Sequence, residues 1–139
     1  MPRCLQEVRL ENPRPSVVHV VDDDEAVRDS LCALLESYGI VVLAYGSANE
    51  FLLAAPAPSQ GCLLIDLHMP GIGGLELLEM LQARGSKVPV IAMTGRSDAV
   101  LRERAVRAGA VTLLDKPVME DVLLNSLARA LARVEFQTL

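Results

Sequence analysis

Val17-Val18-His19-Val20-Val21-Asp22-Asp23-Asp24 is a short β-branched run that stops abruptly on three carboxylates. Its apolar residues are nearly continuous rather than alternating, as a strand of a parallel sheet covered on both faces requires. Similar runs recur at Val41-Val42-Leu43, Cys62-Leu63-Leu64-Ile65, Val88-Pro89-Val90-Ile91-Ala92-Met93 and Val111-Thr112-Leu113-Leu114. Helical patterns lie between them. Val27, Leu31, Leu34, Leu35 and Tyr38 keep the i, i+4, i+7, i+8 rhythm, with Gly39 where a helix C′ glycine belongs. Ser47 suits the N-cap of a short helix through Phe51 and Leu52, and Leu77, Leu78 and Leu81 mark a third helix that ends before Gly85. Ser97 is expected to cap a fourth, running through Leu101 and Ala105 to Gly109. A fifth spans Val118 to Arg133, with Leu123, Leu127, Leu131 and Val134 on one stripe. Five strands alternating with five helices predict an α/β fold, a five-stranded parallel sheet doubly wound with helices on both faces.

The chain of 139 residues and 15.0 kDa has the size of one domain. Residues 1–16, with Pro13 and Pro15 and no sustained period, read as a flexible leader, residues 17–133 as the domain, and residues 134–139 as a C-terminal tail. Hydrophobic residues at 51% allow a packed core, and aromatics at 3% make that core aliphatic and leave almost no stacking platform for bases. Thirteen basic against 18 acidic residues, net −5, argue against a surface built to grip phosphate backbones, so no direct nucleic-acid binding is expected. No apolar stretch approaches the roughly 20 residues of a membrane span, and Met1 to Glu7 lack the apolar core of a signal peptide. Cys4, Cys32 and Cys62 are odd in number and widely spaced, which fits reduced thiols and a cytoplasmic location.

Ligands of a parallel α/β sheet bind outside the carboxyl ends of its strands, so the residues that end each run decide the chemistry. The first run ends on Asp22 and Asp23, the third on Asp66, the fourth on Thr94, and the fifth on Asp115-Lys116-Pro117. Three neighbouring carboxylates repel unless a cation sits among them, and an all-oxygen set suits Mg²⁺ better than a soft metal. With the acids neutralised, a phosphoryl group can approach. Asp66, at the end of an otherwise apolar strand, is the best-placed nucleophile, with Lys116 and Thr94 available to the transferred oxygens.

Val20-Val21-Asp22-Asp23-Asp24, Asp66-Leu67-His68-Met69-Pro70-Gly71, Met93-Thr94-Gly95 and Asp115-Lys116-Pro117 resemble, in order and spacing, the four signatures of response regulator receiver domains. Tyr45-Gly46-Ser47-Ala48 and Gly74-Leu75-Glu76-Leu77 are similar to the FixJ-like subfamily. The resemblance covers Val17 to about Arg133 and implies a flavodoxin-like fold. It also implies that Asp66 accepts phosphate from a phosphohistidine on a sensor histidine kinase or a phosphotransferase, and that the domain then switches protein–protein interactions. In that light Asp23 is a direct Mg²⁺ ligand, Asp22 acts mainly through metal-bound water, and the backbone carbonyl of His68 completes the protein's share. Thr94 and Lys116 sense the phosphoryl group, the Lys116–Pro117 peptide is cis, and the output face is expected to form a phosphorylation-dependent homodimer. Two positions that tune dephosphorylation in the family fall on His68 and Arg96. One position departs from the pattern. Leu113 stands where the family carries a switch aromatic, so the ring whose reorientation links site to output face is missing.

Several features have plainer readings. Asp24 and Glu25 are expected to cap and charge a helix N-terminus rather than bind metal. His19 and His68 lack ligand spacing with each other and read as surface or satisfied histidines. Gly71-Ile72-Gly73-Gly74, with no Gly-Lys-Ser/Thr after it, reads as a flexible turn. Arg102, Arg104, Arg107 and Lys87 form a basic patch expected to be solvated or to face protein. Two other classes of function compete. One is a Mg²⁺-dependent aspartyl phosphohydrolase, since Asp22-x-Asp24 is faintly similar to the haloacid dehalogenase motif, with Ala26 in place of its threonine. The other is a receiver-like module that binds partners without phosphate. The residues after Arg133 are too few for a helix-turn-helix, so the expectation is a stand-alone receiver or one part of a longer regulator.

Overall fold

The computed structural model describes residues 17–54, 61–95 and 98–138, the last stretch with side chains only as far as Leu131. The leader read at 1–16 and the Ser97 cap lie outside these residues, as do Arg96 and the side chain of Val134.

Strands β1 (Val17–Val21), β2 (Val41–Tyr45), β3 (Cys62–Asp66), β4 (Val90–Thr94) and β5 (Ala110–Asp115) alternate with helices α1 (Glu25–Ser37), α2 (Ala48–Ala54), α3 (Gly74–Ala83), α4 (Ala99–Arg107) and α5 (Glu120–Thr138). All neighbouring strands pair in parallel, in the order β2-β1-β3-β4-β5. This is the doubly wound, flavodoxin-like arrangement, whose order reverses between β1 and β3.

The pleat sorts each strand's residues between two cores. Leu63 and Ile65 of β3 and Ala92 of β4 pack with Phe51, Leu77, Leu78 and Leu81 beneath α2, α3 and α4. Cys62 and Leu64 of β3 and Ile91 and Met93 of β4 pack with Leu31, Leu35, Leu123 and Leu127 beneath α1 and α5. The central strands β3 and β4 are buried throughout, which explains their unbroken apolar sequence. The edge strand β2 is different. Val41 and Leu43 are about half exposed, because among the described residues no strand covers its outer side and α2 is only seven residues long.

Local signals act much as their chemistry suggests. Asp24 caps α1, its carboxylate accepting from the Val27 N–H at 3.2 Å, and Gly39 follows the C-cap Tyr38 with φ of 77°. Ser47 Oγ accepts from the Glu50 N–H at 3.1 Å at the start of α2. At α4 the cap is Asp98, whose carboxylate accepts from Val100 and Leu101, one residue beyond the serine expected there. A carboxylate cap also favours the positive end of the helix dipole. Helix α5 continues past Arg133 to Thr138, since no glycine or proline interrupts that stretch.

Candidate functional site

The carboxyl ends of β1, β3, β4 and β5 meet at one edge of the sheet. β1 delivers Asp22, fully buried, and its backbone is fixed on two sides: its N–H donates to the Tyr45 carbonyl at 3.1 Å, and its carbonyl accepts from Arg28 Nη1 at 2.8 Å. The side chain is equally constrained. Oδ1 accepts from the Asp24 N–H at 2.9 Å, and Oδ2 lies 3.0 Å from Lys116 Nζ. Asp23, next in the chain, is exposed.

Asp66 closes β3 and is 4% exposed. Its Oδ1 accepts from the His68 N–H at 3.0 Å, and its Oδ2 sits 3.2 Å from Lys116 Nζ. Lys116 thus bridges two carboxylates from two different strands. Burial pushes the Asp66 pKa above its ordinary value; the His68 N–H and the Lys116 charge pull it back only in part, while Asp22 pushes it further up. For Lys116, burial acts downward, but the hydrogen bond and charge of Asp22 together with those of Asp66 outweigh it and hold the ammonium above its usual pKa. The lysine stays charged.

Asp22, Asp23 and Asp66 each present an oxygen within 4.8 Å of the others. Set against the single ammonium of Lys116, three ionised acids leave a formal excess of two negative charges. Hard oxygen donors, that excess and one solvent-facing member fit a small divalent cation that keeps part of its water. Asp24 is turned away to its capping role, as its sequence position suggested.

Thr94 ends β4 fully buried, and Lys116 N–H donates to its carbonyl at 2.8 Å, which ties the lysine's backbone to that strand. The Lys116–Pro117 peptide is cis. Leu113, paired in register with Ala92, is half-buried against the cluster under α3 and α4.

Two contacts at the site were not legible in the sequence. The His68 side chain, read as isolated, has Nε2 2.9 Å from Thr94 Oγ1. No local spacing announces a contact between residues 26 apart. Gly74, read as part of a flexible turn, instead opens α3 directly against β3: a Cβ there would lie 2.0 Å from the Asp66 carbonyl oxygen. His19 is a satisfied core histidine, with Nδ1 3.2 Å from the Tyr45 hydroxyl and its ring in a mutual cluster with those of Tyr45 and Phe51. The arginines of the basic patch are ion-paired, Arg102 with Asp115, Arg104 with Glu79 and Arg107 with Glu103. Among the described residues no helix is long and apolar enough to cross a membrane.

Comparison with known proteins agrees with this fold. The family described as response regulator receiver domain matches residues 18–128. The transcriptional regulatory protein FixJ of Azorhizobium caulinodans is 45% identical over 121 residues, which are 87% of this chain and 57% of that protein. The chain therefore spans little more than half the length of that relative. Among solved structures, the receiver portion FixJ-N superposes with a TM-score of 0.79 at 38% identity, covering 86% of this chain and 95% of that one. The response regulator StyR superposes with a TM-score of 0.83 at 36% identity, covering 90% and 63% respectively.

Proposed function

This chain belongs to the response regulator receiver domain family of two-component systems, and on that premise we propose that Asp66 is its phosphoacceptor, loaded from a histidine kinase or phosphotransferase in the presence of Mg²⁺. The observation that carries the reading is the double contact of Lys116, 3.0 Å from Asp22 and 3.2 Å from Asp66. That contact gathers the nucleophile, an acidic cation site and a phosphoryl-binding ammonium in one place. In the transfer, an Asp66 oxygen supplies the electron pair of the new O–P bond, and the donor imidazole nitrogen keeps the pair of the P–N bond that breaks. Lys116 turns its charge to the incoming phosphoryl oxygens, and the Thr94 hydroxyl donates to another of them.

Asp22, Asp23, Asp66 and the His68 carbonyl would hold Mg²⁺, which supplies charge neutralisation between carboxylate and phosphoryl group. The catalysis is the domain's own phosphorylation and dephosphorylation rather than turnover of a metabolite. The phosphorylated domain switches protein–protein contacts, including a homodimer, in the cytoplasm. As in the relative named a transcriptional regulator, it would work as one part of a longer regulator or by itself.

The phosphohydrolase reading, with Asp22 as nucleophile, fits poorly, because Asp24, the second acid of its Asp-x-Asp pattern, is committed to capping α1 and Ala26 stands in place of the threonine. Incubation with Mg²⁺ and acetyl phosphate followed by intact mass tests the proposal. A phosphoryl adduct on the wild type that is absent from Asp66→Ala is expected, and no adduct with any phosphodonor would overturn it.

A further inference from the structure

His68 is tied to both working ends of the site at once. Its backbone N–H donates to Asp66 Oδ1 at 3.0 Å, while its ring nitrogen Nε2 lies 2.9 Å from Thr94 Oγ1. One loop residue thus spans the phosphoacceptor of β3 and the hydroxyl at the end of β4. Thr94 is fully buried, whereas His68 is exposed and its ring can swing into solvent once released.

We propose that the His68 imidazole is a latch on Thr94, holding its hydroxyl in the unphosphorylated arrangement until a phosphoryl group on Asp66 draws that oxygen away. The inference rests on Asp66 being the phosphoacceptor. A hydroxyl has one proton to donate. If Nε2 accepts it, the phosphoryl oxygen must compete for it; if Nε2–H donates, the hydroxyl oxygen must still leave a partner at 2.9 Å. In the latch, the movement that carries the Thr94 hydroxyl to the phosphoryl group is the one that ends the ring contact. The same event disturbs the other tether, because the carboxylate that accepts the His68 N–H is the group that becomes an acyl phosphate. Leu113 gives this pairing added weight. With a leucine at the core position beside β4, the ring in contact with the Thr94 hydroxyl is the His68 imidazole. His68 is therefore a positioning residue, acting on Thr94 and touching no transferred atom through its side chain.

Beryllofluoride with saturating Mg²⁺, as a mimic of the phosphoryl group, tests this on wild type, His68→Leu and His68→Gln. One hydrogen bond of ordinary net strength corresponds to about two- to tenfold in an equilibrium. His68→Leu should therefore bind beryllofluoride tighter by about that factor. In metal-free protein its Thr94 methyl resonance should shift in the direction that beryllofluoride drives it in the wild type. His68→Gln, whose amide can still reach a hydroxyl, should stay close to wild type in both readouts. Equal or weaker beryllofluoride binding by His68→Leu overturns the latch, as does tighter binding with an unmoved Thr94 resonance, which would trace the effect to the metal shell. If the wild type takes up no beryllofluoride, the phosphoacceptor reading falls and the latch with it. Uptake with equal affinities removes the latch alone.

Discussion

Gly74 is packed so closely on β3 that a Cβ would stand 2.0 Å from the Asp66 carbonyl oxygen and 2.7 Å from its carbonyl carbon. Both obstacles are backbone, so neither can rotate aside. The close approach lets α3 start directly behind the end of β3 and fixes the height at which Asp66 leaves the sheet.

Gly74→Ala is accordingly expected to destabilise the domain by about 3 kcal/mol or more, at the upper end of what overpacking does, and to lower the yield of Asp66 phosphoadduct. Gly71→Ala is the informative contrast. Its φ is 75° and a Cβ would meet nothing within 4 Å, so only backbone strain of about 1 kcal/mol is expected, with the adduct retained. Urea unfolding and intact mass read the two effects, and comparable behaviour of the two variants would contradict the packing argument.

The double contact of Lys116 makes a prediction about cation binding. Lys116→Met removes the charge that faces Asp22 and Asp66 but retains much of the side chain's volume. Asp22 would then be buried without its partner, and a loss of about 1–3 kcal/mol is expected in metal-free buffer, discounted because the lysine is 24% exposed. The same loss of positive charge should strengthen Mg²⁺ binding to the acidic set. Mg²⁺ would raise the melting temperature of Lys116→Met by more than it raises that of the wild type. A smaller rise in the variant would show that the ammonium does not compete with the cation.

Much of this arrangement was legible because strand endings are chemical statements. An apolar run that stops on Asp22, Asp66, Thr94 or Lys116 already says which side chains share the sheet edge. What stayed hidden depends on distance through space. The same glycine run accommodates an open turn at Gly71 and a backbone contact at Gly74, and only the placement of β3 distinguishes them. The arginines of α4 form a basic patch in sequence, but Glu79 and Asp115 come from other elements to neutralise two of them. Edge burial was hidden for a related reason. Val41-Val42-Leu43 is as apolar as a central strand, and only strand order shows that, among the described residues, one side of it has no strand neighbour.

His19 confers a pH dependence whose sign is fixed by burial. Its pKa lies below the ordinary 6.5 because burial disfavours the imidazolium. The folded state therefore prefers the neutral ring, and its contribution is fully present above about pH 6.5 and is lost as pH falls through the folded pKa. Asp66 acts in the opposite sense. Its carboxyl, raised mainly by burial, contributes stability that is present below pH 3.8 and lost as pH rises through its folded pKa. Unfolding free energies measured from about pH 7.5 down to about pH 5 should fall for the wild type relative to His19→Phe, a variant that keeps an aromatic ring beside Tyr45 and Phe51. Identical slopes for the two proteins would mean that the ring does not stay neutral in the fold.

The two cysteines among the described residues differ in burial, and their reactivity should follow. Cys62 is fully buried at the start of β3, its thiol directed at the Leu63 carbonyl 3.6 Å away, and burial pushes its pKa up to about 12. At about pH 8 almost none of it is thiolate, and the thiolate is the nucleophile, so alkylation requires the strand to open. Cys32 lies on α1 at intermediate exposure. Its pKa is also raised, first by burial and then by Glu36 and Asp29, with Arg28 opposing, so it should react more slowly than a free thiol yet without unfolding. Iodoacetamide labelling followed by peptide mapping should therefore modify Cys32 in native protein, and Cys62 only at a rate that rises with added urea. Labelling of Cys62 at a rate independent of urea would place its sulfur within reach of solvent in the native state, against the burial of β3 on both faces.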